Sequence, residues 1–138
     1  MALTNDPVFA QTPKTGGFDF DTGSEDTSMD PAAVSPDAIV TAGADGAIVT
    51  SVVYHGEVTI TAQKIVLWIQ PLGTGDWFIV KEALQAAYTM AATTAQTAVT
   101  LVDKTDPNSA IRLAGTDVLG VTHHVDLAGS CFAEWTDY

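Results

Sequence analysis

From Ala38 to the C-terminus, short apolar runs rich in Val, Ile and Thr recur, and turn residues punctuate them. β-Branched side chains suit a pleated, half-buried surface, and runs of four to eight residues between Gly, Pro, Asn and Asp clusters read as strands. On this pattern AIVTA (38–42), AIVTSVVYHG (47–56), AQKIVLWIQ (62–70) and DWFIVKEAL (76–84) are strands. So are TAVTLV (97–102), AIRLA (110–114), DVLGVTHHVDL (117–127) and SCFAEWTDY (130–138). Gly43-Ala44-Asp45-Gly46, Pro71 to Gly75 and Asp106-Pro107-Asn108 are the turns between them. About eight short strands with frequent turns predict an all-β chain, a sandwich or jelly roll.

Glu82–Gln96 breaks the pattern. Leu84, Ala87, Tyr88 and Ala91 stand at helical spacing, and alanine favours helices. The threonines that follow oppose this, so a strand–loop–strand path is the expectation and a short helix the alternative. Before Ala38 the texture differs. Pro7, Pro13, Pro31 and Pro36 mix with Gly, Ser, Thr and acids, and PVFA (7–10) is the one apolar patch. Residues 1–37 are read as an extended arm and acidic loop, and 38–138 as a single sandwich domain.

Charge narrows the function. Seventeen acids against five cations leave a formal net charge of −12 over 138 residues. A nucleic-acid partner needs a basic face, and an anionic membrane attracts one, so neither is expected. No apolar run approaches a membrane span. Met1 to Asp6 has no basic region leading into an apolar core, so no secretory leader is expected. One cysteine, Cys131, permits no internal disulfide, which fits assembly in a reducing cytoplasm.

Candidate chemistry is sparse. Asp19, Asp21, Glu25, Asp26 and Asp30 crowd one stretch, but Gly23 falls where a calcium loop needs a ligand and Ser24 where it needs its bending glycine. A solvated loop is the expectation. His123 and His124 are adjacent on a strand, so they point to opposite faces and do not share a metal; His124 and Asp126 share a face, with His55 remote. A partly buried histidine beside an exposed one is expected. Ser130-Cys131 lacks a nucleophile elbow, so Cys131 reads as a small buried hydrophobe. Gly73-Thr74-Gly75 lacks a phosphate-loop lysine and is a hairpin turn. Trp68, Trp77 and Trp135 suit core or interface packing before a sugar platform. No enzyme, cofactor or metal is expected.

Three segments carry a resemblance. MALTNDPVFAQTPKTG (1–16), VTAGADGAIV (40–49) and VTHHVDLAGSCFAEWTDY (121–138) resemble, at similar spacing, a family of small phage and prophage virion proteins. The chain departs from that pattern in the acidic insertion Phe18–Asp37 and near Tyr88. The resemblance implies a jelly-roll-like β-sandwich in a virion assembled in the host cytoplasm. With no repeats or heptads for a shaft, and a charge that packed DNA would repel, the expectation is a capsid decoration (cement) protein on the capsid exterior. Its partner would be the major capsid protein, with homotrimers at local three-fold axes. Contact would run through the arm residues Leu3, Pro7, Val8, Phe9, Gln11, Pro13 and Lys14, with Val8 and Phe9 in apolar pockets and Lys14 on an acid. The alternative is a tail or baseplate module that binds a receptor or glycan through Trp77 and Trp135.

Overall fold

The computed structural model describes residues 12–96 and 98–138. Nine strands are present among them: β1 (Thr12–Phe20), β2 (Asp37–Thr41), β3 (Ala47–Gly56), β4 (Gln63–Gln70), β5 (Phe78–Gln85), β6 (Val99–Val102), β7 (Ile111–Leu113), β8 (Val118–His123) and β9 (Gly129–Asp137). They form two antiparallel sheets packed as a sandwich. One runs β1-β9-β3-β6, with β7 also paired to β3; the other runs β2-β8-β4-β5. Only β4 and β5 pair as sequence neighbours within the second sheet, so most connections cross between the sheets.

The period-two pattern explains the layering. Along β9, Cys131, Ala133 and Trp135 point inward while Phe132, Glu134 and Thr136 point outward. Val49, Val52 and Tyr54 of β3 join them and meet Ile65, Leu67, Leu119 and Val121 from the opposite sheet. The second sheet also buries its outer side. Val66 and Trp68 are covered there by Val34 and Trp77. A Cβ on Gly120 would come within 2.9 Å of the Trp77 ring and 2.8 Å of Pro36, so that glycine makes the slot the cover sits in.

Eight predicted strands match observed ones to within a few residues, and Glu82–Gln96 follows the strand–loop–strand path. β5 ends at Gln85, and isolated bridges join Tyr88 to Ile60 and Ala91 to Thr94. The predicted arm needs correction. Residues 12–20 are a full strand of the sandwich, in register with β9 from Thr12↔Asp137 to Phe20↔Gly129. Gly16 and Gly17 hide this strand in the sequence yet permit it. A Cβ at Gly16 would lie 2.9 Å from the Trp135 ring, and one at Gly17 would lie 2.4 Å from the Cys131 carbonyl oxygen.

The β2–β3 turn depends on Gly46. Its φ is +101°, and an added Cβ would lie 2.5 Å from the backbone oxygen of Leu113. Both strain and clash oppose a side chain, so Gly46→Ala is expected to cost about 1–3 kcal/mol. Urea unfolding would measure it.

Candidate interaction surface

Leu3, Pro7, Val8, Phe9 and Gln11 lie outside the described residues. Pro13 and Lys14 are exposed at the start of β1. Lys14 finds its acid within the chain. Its Nζ lies 2.5 Å from Asp137 Oδ2, and Asp137 also accepts from the Gly43 N–H at 3.2 Å. This ties β1 to β9 and to the β2–β3 turn. Lys14, then the Gly43 amide, hold the Asp137 carboxyl below the usual carboxylate range.

The acidic stretch is folded over one end of the sandwich. Asp26 accepts from the Ser28 N–H at 2.8 Å and the Ser35 N–H at 2.7 Å, and donates its own N–H to the His123 carbonyl at 3.1 Å. The Gly23 N–H donates to Asp126. Asp30 accepts from the Ala32 N–H at 3.0 Å. These carboxylates organise backbone turns, as Asx motifs do. Among the described residues no three His, Cys, Asp or Glu side chains gather to hold a metal. Asp19, Asp21, Glu25 and Asp30 stand exposed, as a solvated loop requires, while half-buried Asp26 ties its backbone together.

Beneath it His123 is fully enclosed. Its Nδ1 is 3.2 Å from the Tyr54 hydroxyl, its Nε2 is 3.1 Å from Ser24 Oγ, and its ring lies 4.6 Å from that of Phe20. Burial holds this imidazole below the ordinary histidine range against the opposing pull of Glu25 and Asp126. Burial pushes the Tyr54 phenol up to about 12. A neutral imidazole wedged between hydroxyls and aromatic rings is a polar rivet in the core. His124, just past the end of β8, is half-buried, so the pair is more enclosed than the partly buried and exposed histidines expected, and the two join no metal-holding group among the described residues. Cys131 is buried, and its thiol is pushed up to about 12, unfit for nucleophilic work.

The tryptophans are not presented as a platform. Trp68 is fully buried, Trp135 is buried on the inner side of β9, and Trp77 lies partly buried on Trp68. Two other surfaces are open. The first is β5, at the edge of its sheet, where Phe78, Ile79, Val80 and Leu84 are exposed, Leu84 at 82%. The second is the outer face of the five-stranded sheet. Two adjoining grooves of about 320 and 440 Å³ run across it and share Lys104 and Glu134. Phe132, 49% exposed, lies in the larger. The sequence reading missed Phe132 and Glu134. The alternation in SCFAEWTDY carried the signal, because burying Cys131 and Trp135 sends Phe132 and Glu134 outward.

No protein-family model matches the chain, and no curated protein matches it. Among solved structures, the Eiger TNF from S. frugiperda is similar over 92% of each chain, with a TM-score of 0.51 and 11% identity. Identity that low speaks for the fold alone. The fold is a jelly-roll-like β-sandwich. No likeness carries any chemistry to this chain.

Proposed function

We propose that this protein is a capsid decoration (cement) protein of a phage-type virion, bound to the outside of the major capsid shell. The observation that carries the reading is the open edge of the five-stranded sheet: β1 (Thr12–Phe20) pairs only with β9 among the described residues, which leaves one side of that strand free. An open edge can pair with a strand of a neighbouring subunit, with residues 1–11 as the proposed anchor. The resemblance in 1–16, 40–49 and 121–138 points the same way.

The exposed apolar edge of β5 supports multi-subunit packing, since apolar edge strands are normally covered. A homotrimer at a local three-fold axis would cover it. Many weak contacts repeated over the shell then hold the particle against internal pressure through avidity.

Removing residues 1–11 tests the anchor while leaving β1 intact. Co-sedimentation with undecorated shells should show affinity at least ~10-fold weaker, a loss of about 1.4 kcal/mol or more. The far-UV spectrum should be unchanged. Shell binding equal to that of the full chain would remove this assignment. Particle imaging that found the protein only at the tail tip would remove the head location.

A further inference from the structure

We propose that residues 21–36 are an acid-released cover, which lifts from the sandwich when His123 takes up a proton while the strands beneath stay paired. The segment joins β1, which ends at Phe20, to β2, which begins at Asp37. Four hydrogen bonds tie it to the rest of the described chain. Gly23 donates its N–H to Asp126, and Ser24 Oγ meets His123 Nε2 at 3.1 Å. Asp26 donates its N–H to the His123 carbonyl at 3.1 Å, and Trp77 donates its N–H to the Pro31 carbonyl at 3.0 Å. All but the last end on His123 or Asp126. The one fully buried side chain of the segment is Val34, seated on Val66 and Trp68. Charge adds no grip. The segment holds Asp21, Glu25, Asp26 and Asp30 and no cation, and its neighbours Asp37 and Asp126 carry the same sign. Among the described residues no ion pair reaches it.

The bonds around the His123 ring fit one protonation state. The Asp21 carbonyl can only accept, so the Ser24 hydroxyl donates to it, at 2.5 Å. Ser24 Oγ then accepts from His123 Nε2–H, and His123 Nδ1 accepts from the Tyr54 hydroxyl at 3.2 Å. The neutral imidazole closes this chain with every proton placed. A second ring proton on Nδ1 points at the Tyr54 hydroxyl proton, and it charges a ring with no exposed surface. Raising the segment takes Ser24 away and lets water solvate the charge at Nε2. The uncovered state is then the better proton binder, so acid shifts the population toward it.

The other charged groups modulate the release. Glu25 in the segment and Asp126 beyond β8 favour the charged ring and hold the cover down, while His124 opposes the charge. Tyr54, pushed up to about 12 by burial, stays neutral throughout. His124 has Lys64, Asp26 and Glu82 around it, and burial disfavours its charge as well. Asp37, raised by burial and by Asp26, loses its charge more readily as acid is added and eases repulsion under the cover. At His123 the loss of solvation outweighs the carboxylates. The cover works the same way wherever the protein sits in a particle.

The test is hydrogen exchange by NMR on the full chain from pH 7.5 to 5, read as protection factors so that the direct effect of pH on exchange is divided out. The Gly23, Asp26 and Trp77 amides should lose at least ~10-fold in protection between pH 6.5 and 5, since one proton moves an equilibrium by at most about tenfold per pH unit. Amides of β3 and β9 should stay at least ~100-fold better protected at every pH, which makes the opening local. His123→Gln should abolish the acid step. Ser24→Ala, a change outside the core, should speed exchange at the same amides at pH 7.5 and shrink the step to ~3-fold or less, because water already reaches the ring. Ser24→Ala decides the matter where His123→Gln does not fold. Segment protection that holds level from pH 6.5 to 5, segment amides that exchange only together with those of β3 and β9, or an acid step left intact in either variant would each overturn the proposal.

Discussion

Trp68→Ala is expected to destabilise the protein by about 3–5 kcal/mol, the usual cost of emptying a buried large aromatic site. Trp68 has no exposed surface and is the largest fully buried side chain. It holds the smaller of the two apolar clusters together, with Val34 and Val66 against it and Trp77 lying over it. Its indole N–H donates to the Thr122 hydroxyl at 2.9 Å, and Thr122 is itself buried. Truncation therefore leaves a cavity and strips a buried hydroxyl of its donor. The damage should reach the cover. Trp77 donates its backbone N–H to the Pro31 carbonyl at 3.0 Å, so the Pro31–Pro36 segment loses the surface it rests on. A melting-temperature drop of roughly 10–15 °C is expected for a chain of this size. Trp68→Phe keeps part of the ring but loses the donor, so it should fall between parent and alanine. Hydrogen exchange should show the amides of residues 31–36 and 77 opening first in the alanine variant. A cost below about 1 kcal/mol would mean that the covering segment packs without this ring.

Legibility in the sequence followed how locally each feature is determined. β3 was readable because Ala47–Gly56 is rich in β-branched residues and is bounded by Gly46 and Gly56, and its observed bounds are the predicted ones. The turn at Gly43–Gly46 announced itself through its glycines. β1 could not be read this way. Pro13, Lys14, Gly16, Gly17 and Asp19 have little strand propensity of their own, and β9, more than a hundred residues later, supplies the pairing that makes them a strand. The same distance hid the His123 rivet, whose partners Ser24 and Tyr54 come from two other segments. Within the solvated acidic stretch, one residue was hidden for a related reason. Asp26 reads as one more surface charge until Ser28, Ser35 and His123 are seen to close around it. Of the residues singled out for shell contact, Pro13 and Lys14 can be placed, and Lys14 proves to be spent on Asp137. Phe132 carried a pattern signal, since its neighbours Cys131 and Ala133 were readable as buried and alternation then sends it outward.

Acid should weaken the fold below pH 6.5, well before the carboxylates titrate. His123 is the cause. In the unfolded chain it titrates near the model-peptide value of 6.5, while in the fold burial lowers its affinity for a proton. Below pH 6.5 the unfolded state therefore binds more protons than the native one, and stability falls as pH falls. The sign follows from the depressed native value. The stabilising difference is fully present above 6.5, and is lost progressively down to the native titration point. The slope is at most about 1.4 kcal/mol per pH unit for one proton. Glu25 and Asp126 resist the shift by favouring the charged ring, His124 reinforces it, and burial outweighs them all. His124 is also depressed, by burial and by Lys64, so it adds to the loss in the same direction. Asp103 and Asp137 are held below 3.8, by Thr105 and by Lys14 respectively, so their stabilisation persists until more acidic conditions. Asp37, raised by burial and by Asp26, takes up its proton more readily in the fold and so offsets part of the loss as pH falls, leaving the histidines as the cause of the decline that begins at pH 6.5. Protonation would also make both ring nitrogens of His123 donors, requiring the Tyr54 and Ser24 hydroxyls both to accept. Urea midpoints taken from pH 7.5 to 4.5 should decline steadily in the parent. In His123→Gln, less stable at neutral pH, the decline should be clearly shallower. A parent profile that stays level down to pH 5 would mean that the buried ring takes up its proton as readily as an exposed one, and the rivet as described would not exist.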